Sequence, residues 1–273
     1  MSAVPVLTYH ATRVGSGCYG TDDSVSLRED LRMLQREGFQ IVSLHRIARG
    51  VISGNLGDLP RSVGISFDDG TDLDWRDVNH PALGPLPGLA TILAESGVEA
   101  CCPRPQATSF VVAGPGPRRE LDLRSLNGAG WWNDDWWLAA VRASLAIENH
   151  SWDHNHELVD GTGDERHARG TFLPVDSWAR CDRQVRQAAD YIDGKLAPVH
   201  RSSLFAYPYG EFSDYLAKCY LPDYRHEHRQ EAAFTTAGEP VHAGSDRWLL
   251  PRFVCGQHWR TPEDLQAILN FCR

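Results

Sequence analysis

Lysine is almost missing from this 273-residue chain: of 27 basic residues only Lys195 and Lys218 are lysines. The arginine excess reads as coding bias and does not make the chain basic, because the net charge is -9. A nucleic-acid-binding surface is therefore not expected. Long apolar runs are missing too, and nothing approaches the roughly 20 residues of a membrane-spanning helix. The N-terminus has no basic region followed by an apolar stretch. No signal peptide is expected, and the expected location is cytoplasmic. The seven cysteines are an odd number without CxxC spacing. They favour reduced thiols over a disulfide scaffold or a zinc ribbon. No repeat, no low-complexity linker and no Gly-rich phosphate turn interrupts the chain. With 42% hydrophobic and 23% charged residues, residues 1–273 read as a single globular domain with a full core.

Strands and helices alternate. The apolar run from Val4 to Thr8 ends in Tyr9-His10, so a buried strand carries a histidine at its C-terminal end. Ser26–Leu34 reads as a capped helix stopped by Gly38, and Phe39–Leu44 as a strand. Val63–Phe67 is a strand running into Asp68-Asp69-Gly70. A helix over Leu86–Glu95 precedes a strand over Ala107–Val112. A helix over Asp134–Ser144 leads into the strand Leu145–Glu148 and then Asn149-His150. Ser177–Lys195 is a long helix. Leu204–Tyr207, Ala232–Thr236 and Trp248–Leu250 are strands, and Thr261 caps a terminal helix. About seven strands in βα alternation favour an α/β fold, a barrel over a dinucleotide-binding sheet. Polar residues gather where strands end, which is where barrels carry their chemistry.

Three stretches carry that chemistry. In Ser66-Phe67-Asp68-Asp69-Gly70, two adjacent carboxylates after a buried strand need a compensating charge. A divalent cation supplies it if one Asp binds metal and the other faces the substrate; a solvated Asp-Asp-Gly turn is the plainer reading. In Asn149-His150-Ser151-Trp152-Asp153-His154-Asn155-His156, the spacing of His150 and His154 puts both imidazoles on one face of a helical turn. Two His and one carboxylate form a hydrolase ligand set, and the alternative is a solvated His-rich loop. His156 is either a neighbour of the ligands or exposed. In Phe205-Ala206-Tyr207-Pro208-Tyr209-Gly210, Pro and Gly set a turn whose backbone N–H could hold an oxyanion, or which simply closes the barrel.

Together and in this order, these stretches resemble the polysaccharide deacetylases of carbohydrate esterase family 4, the NodB-homology domain. The Phe-Asp-Asp-Gly core matches Phe67 to Gly70, and His-Ser/Thr-x-x-His matches His150 to His154. The resemblance implies a distorted (β/α)7 barrel and metal-dependent removal of N- or O-acetyl groups from glycans. It implies Asp69, His150 and His154 as metal ligands, Asp68 as general base and Ser151 as a support of the ligand loop. The family's third motif usually holds an Arg. Here Tyr207-Pro208-Tyr209-Gly210 has none, a form similar to the exopolysaccharide (poly-N-acetylglucosamine) deacetylase branch, with the Tyr209 N–H as oxyanion donor. The C-terminal Leu-x-x-His motif of the family is missing after Tyr209. Leu7-Thr8-Tyr9-His10 has that spacing at the other end, as in a permuted chain, so His10 is the implied general acid. Arg252, after Trp248–Leu250, is a candidate substitute for the missing Arg.

Zinc is the expected metal, and cobalt, nickel or manganese fits the same donors. The expected partner is an N-acetylated glycan or amino sugar. The stretch Trp131-Trp132-Asn133-Asp134-Asp135-Trp136-Trp137 holds four of nine tryptophans and reads as a sugar platform or as core anchors. Two other functions suit parts of the sequence. One is an amide or cyclic-amide hydrolase of small molecules on the same fold; the other is a silent glycan-binding protein.

Overall fold

Val6–His10 (β1) is buried from Val6 to Tyr9, and its alternate residues face two different cores. Leu7 and Tyr9 pack with Leu27 and Leu31 of the helix Asp23–Arg36 (α1). Val6 packs with Phe110, Leu204 and Phe234 from other strands, on the inner face of a curled sheet. The structure is a computed structural model and describes residues 3–57, 59–98, 107–160 and 168–272.

The other central strands are Ser62–Asp68 (β2), Ala107–Val111 (β3), Leu145–Asn149 (β4), Leu204–Ala206 (β5), Ala232–Phe234 (β6) and Phe253–Val254 (β7). They pair in the order β6-β5-β4-β3-β2-β1-β7, all parallel, and Gln40–Ile41 adds to β2. First and last strands are neighbours, with Leu7 opposite Phe253 and Thr8 opposite Val254. Leu250 also bridges Phe234. The stretch Leu250–Val254 thus draws the two edges of the curl together, as expected of a distorted α/β barrel. Because every strand of this central sheet is parallel, all their C-terminal ends lie at one rim.

Several elements depart from the sequence reading. Phe39–Leu44 shrinks to the two-residue strand Gln40–Ile41, because Ser43 caps a helix Leu44–Ile52 (α2) by accepting from the Arg46 N–H. Its buried Leu44, Ile47, Ala48 and Val51 have helical spacing and fill the inner core. Helix Pro115–Ser125 was not expected; its Gly-Pro-Gly-Pro start reads as a turn, yet Pro115 suits a first helical position. The helix expected from Leu86 starts at Leu89, after a short hairpin of Val78–His80 with Gly84–Leu86. That expected from Asp134 starts at Trp137. Of Trp248–Leu250 only Leu250 pairs, and the strand proper follows Arg252.

No helix among the described residues is long and apolar enough to cross a membrane. Cys18, Cys181, Cys219, Cys255 and Cys272 are free thiols. Cys101 and Cys102 lie outside the described residues.

Candidate active site

The register of β1 and β2 sets His10 directly opposite Asp68, where both strands end. The chain then turns sharply. Asp69 (φ 77°) and Gly70 (φ 75°) are both left-handed. At Gly70 a Cβ would stand 2.6 Å from the Val111 side chain, so only glycine fits. Both carboxylates reach the same pocket, with Asp68 Oδ2 3.9 Å and Asp69 Oδ1 3.8 Å from His150 Nε2, and Asp68 is the more deeply buried of the two. The Asp69 carbonyl accepts from the Val112 N–H at 3.2 Å and from Trp132 Nε1 at 3.0 Å, which pins the turn to β3 and to the tryptophan segment.

Asp68 is gripped by Arg252. Nη1 donates to Oδ1 at 2.6 Å and Nη2 to Oδ2 at 2.8 Å, and neither side chain is more than 4% exposed. Arg252 also donates to Ser66 Oγ and the Thr235 carbonyl, and lies over the Phe110 ring. Burial resists ionisation of Asp68, but the charge and hydrogen bonds of Arg252 outweigh it and hold its carboxyl well below the usual range.

His150 and His154 follow β4, but not on a helical turn. Ser151 (φ 74°), His154 (φ 59°) and Asn155 (φ 43°) are left-handed, so the stretch is a loop. Short polar side chains hold it. Asn149 Oδ1 accepts from the Ser151 N–H, Ser151 Oγ from the His154 N–H, and Asp153 Oδ1 from the Asn155 N–H. Asp153 is fully buried against Gln184 and Arg169 and takes no place in the pocket. The sequence spacing of the two imidazoles is met by this loop and not by i,i+4 helix geometry.

Asp69, His150 and His154 each offer one ligand atom, all within 4.8 Å of one another. Asp69 Oδ1 is 3.8 Å from His150 Nε2 and 3.7 Å from His154 Nε2. These distances are too long for hydrogen bonds and leave room for a cation between the three atoms. His150 Nδ1 lies 2.9 Å from the Ala206 carbonyl, which directs the Nε2 lone pair to the group. Burial lowers the pKa of both imidazoles, against the pull of the carboxylates on His150. Neutral nitrogens are what a metal requires. The residues present therefore fit a divalent metal.

The pocket around this group encloses about 260 Å³. His10, Asp68, Tyr209 and His156 line it along with the three donors; Val112, Leu121 and Trp132 form an apolar wall. Arg252 is not a wall residue and reaches the site only through Asp68. Tyr209 is left-handed (φ 59°), and its ring meets His154 edge-on at 4.4 Å. Gly210 is needed beside it, since a Cβ there would collide with the Thr236 side chain. The tryptophan segment divides. Trp136 and Trp137 are core, Trp132 is at the pocket, and Trp131 packs on His80.

Asp23, the first residue of α1, was missed by the sequence reading. Its Oδ2 accepts from the His10 N–H at 2.6 Å. Asp23 Oδ1 is ion-paired with Arg13 Nη1 at 3.2 Å, and His10 Nδ1 is buried without a hydrogen bond among the described residues. An acidic helix start gave no hint of this contact, because His10 is 13 residues earlier. Thr236 and Gln257 also line the pocket and carried no motif.

No family model matches the sequence, and no curated protein matches it either. Solved structures do. The chain has the fold of known deacetylases. A Streptococcus pyogenes deacetylase, PplD, solved with acetate, superposes with a TM-score of 0.64 at 18% identity, over 98% of each chain. A polysaccharide deacetylase of Bacillus cereus gives 0.64 at 15% identity, over 98% of this chain and 69% of that one. A de-N-acetylase from Aggregatibacter actinomycetemcomitans gives 0.62 at 15% identity, over 97% and 99%.

Proposed function

We propose that the protein, acting as one unit over residues 1–273, is a metal-dependent hydrolase that removes acetyl groups, chiefly N-acetyl, from a glycan or amino sugar. The observation that carries this reading is the Asp69, His150 and His154 group set beside the Asp68–Arg252 pair in one pocket. The solved neighbours described as deacetylases supply the substrate class.

Zinc is the proposed metal, held by Asp69, His150 and His154. When bound, it supplies Lewis acidity toward an acetyl carbonyl and toward water. The chain's own residues supply the rest. Asp68, kept ionised by Arg252, takes a proton from the attacking water. His10, across the strand pair from Asp68, gives a proton to the departing amine nitrogen. The Tyr209 N–H donates to the carbonyl oxygen as it gains charge. Water's hydroxyl ends on the acetyl carbon, the C–N bond breaks, and acetate and a free amine leave. Asp23 positions His10 through its backbone N–H.

The test is acetate release from a panel of N-acetylated oligosaccharides, O-acetylated glycans and acetylated amino sugars. Release should stop with chelator, return with zinc, and fall at least about hundredfold in Asp69→Ala. Metal bound at one equivalent with no acetate from any substrate would overturn the reading.

A further inference from the structure

At the opposite end of the barrel, arginines converge. Gln230 and Glu231 lead into β6, so they lie at its N-terminal end, away from the rim that carries the metal group. Around them is a cleft of about 440 Å³ lined by Arg49, Arg225, Arg229, Arg247, Gln230 and Glu231. Four arginines and one glutamate are among its lining residues, on a chain whose net charge is -9.

These cations come from separate elements. Arg49 is in the last turn of α2, Arg225 opens the short helix Arg225–His228, and Arg247 precedes the buried Trp248. Arg229 is engaged by Asp190 and Asp193. Among the described residues no ion pair joins Arg49, Arg225 or Arg247 to a carboxylate. Arg49 and Arg247 are instead held by backbone: Arg49 Nε donates to the His45 carbonyl and Arg247 Nε to the Glu231 carbonyl, and Arg247 stacks on Trp248 at 4.7 Å. Burial and the charge of Arg225 lower the pKa of Arg247, against the opposing pull of Glu231 and Asp246.

Two buried polar atoms of cleft-lining residues have no hydrogen-bond partner among the described residues: Arg229 Nε, a donor, and Gln230 Oε1, an acceptor on a fully buried side chain. Guanidiniums held in fixed orientation suit tetrahedral oxyanions with several acceptor oxygens.

We propose that this cleft binds a phosphate group, either of a small phosphorylated molecule or of a phosphate polymer, at a site separate from the metal group. It stands independently of the deacetylase reading.

The experiment is calorimetric titration of the full chain with orthophosphate, pyrophosphate and a short linear polyphosphate near 0.15 M salt. One site per chain is expected, weakening as salt rises. Binding of the two small anions assigns a small-molecule source, and binding of polyphosphate alone assigns a polymer. Arg49 and Arg225 are both exposed, so their variants should fold normally. Arg225→Ala should weaken binding about tenfold, and Arg49→Ala with Arg225→Ala about hundredfold, with unchanged melting temperature. Asp69→Ala should bind as the wild type does. Failure of all three anions to bind, undiminished binding in the double variant, or loss in Asp69→Ala would overturn the proposal.

Discussion

Arg252 and Asp68 form a two-pronged ion pair across 184 residues of chain, at 2.6 and 2.8 Å and almost fully buried. A buried pair is weak evidence for stability on its own, because desolvation offsets much of the attraction. Its effect here is orientation: both Asp68 oxygens are engaged and the carboxylate cannot rotate freely. Arg252→Lys keeps the charge but loses the planar fork. We expect acetate release at least about tenfold slower, with metal content unchanged and the acidic limb of the pH–rate profile moved upward. The sign follows from the weaker hold on Asp68, whose carboxyl is depressed chiefly against burial by Arg252. Steady-state rates across pH on metal-loaded protein check this, and an unmoved limb would remove Arg252 from the positioning role.

His10 should matter for chemistry and not for metal. It lines the pocket but is not in the group of three donors. His10→Ala is expected to lose about 10²- to 10⁴-fold in turnover, the ordinary worth of a general acid. Bound metal should remain at one equivalent by elemental analysis. Near-full activity in that variant would leave the departing amine to another donor.

Much of this was written locally in the sequence. Phe67-Asp68-Asp69-Gly70 combines a buried strand end with a glycine that the packing against Val111 demands. His150 and His154 were found by spacing, although the local structure is a left-handed loop and not a helix. Spacing cannot separate the two, because side-chain caps from Asn149 and Ser151 rebuild the turn in a form that periodicity does not describe. Arg252 was legible only as a candidate, since its partner is brought to it by closure of the sheet through Leu250–Val254. Asp23 was illegible for the same reason: a helix start and a strand end meet only after folding. The apolar spacing of α2 was present, but a β-rich reading of Phe39–Leu44 concealed its cap at Ser43.

Metal should be retained to unusually low pH. A neutral imidazole is the ligand form, and burial lowers the pKa of His150 and, more strongly, of His154. A lowered pKa means that protons compete for the nitrogens only below the ordinary histidine range near 6.5. Zinc measured by equilibrium dialysis between pH 7 and 4, with pH units set by that ordinary range, should show release displaced to the acid side. Release centred on about 6.5 would mean that these imidazoles behave as solvated ones.

Glu148 offers a stability test that is independent of catalysis. It is fully buried on β4, and its carboxylate takes His45 and His200 at 2.9 Å each and the N–H groups of Ser203 and Leu204 at 2.7 Å each. Burial opposes its charge, but these partners hold its pKa down to about 2. The unfolded chain should titrate near 4.3. A depressed carboxylate pKa stabilises the fold above the unfolded value, and that stability disappears as pH falls from about 4 to about 2. The span corresponds to roughly 3 kcal/mol. Glu148→Gln keeps the shape and removes the charge, leaving both imidazoles without an anionic partner. Urea unfolding should therefore find the variant about 3 kcal/mol less stable than wild type near pH 6. The two should converge as pH approaches about 2, where wild-type Glu148 is itself protonated. A difference that stays constant over that range would mean that the cost of the substitution is packing, and that the charge on Glu148 contributes nothing to the fold.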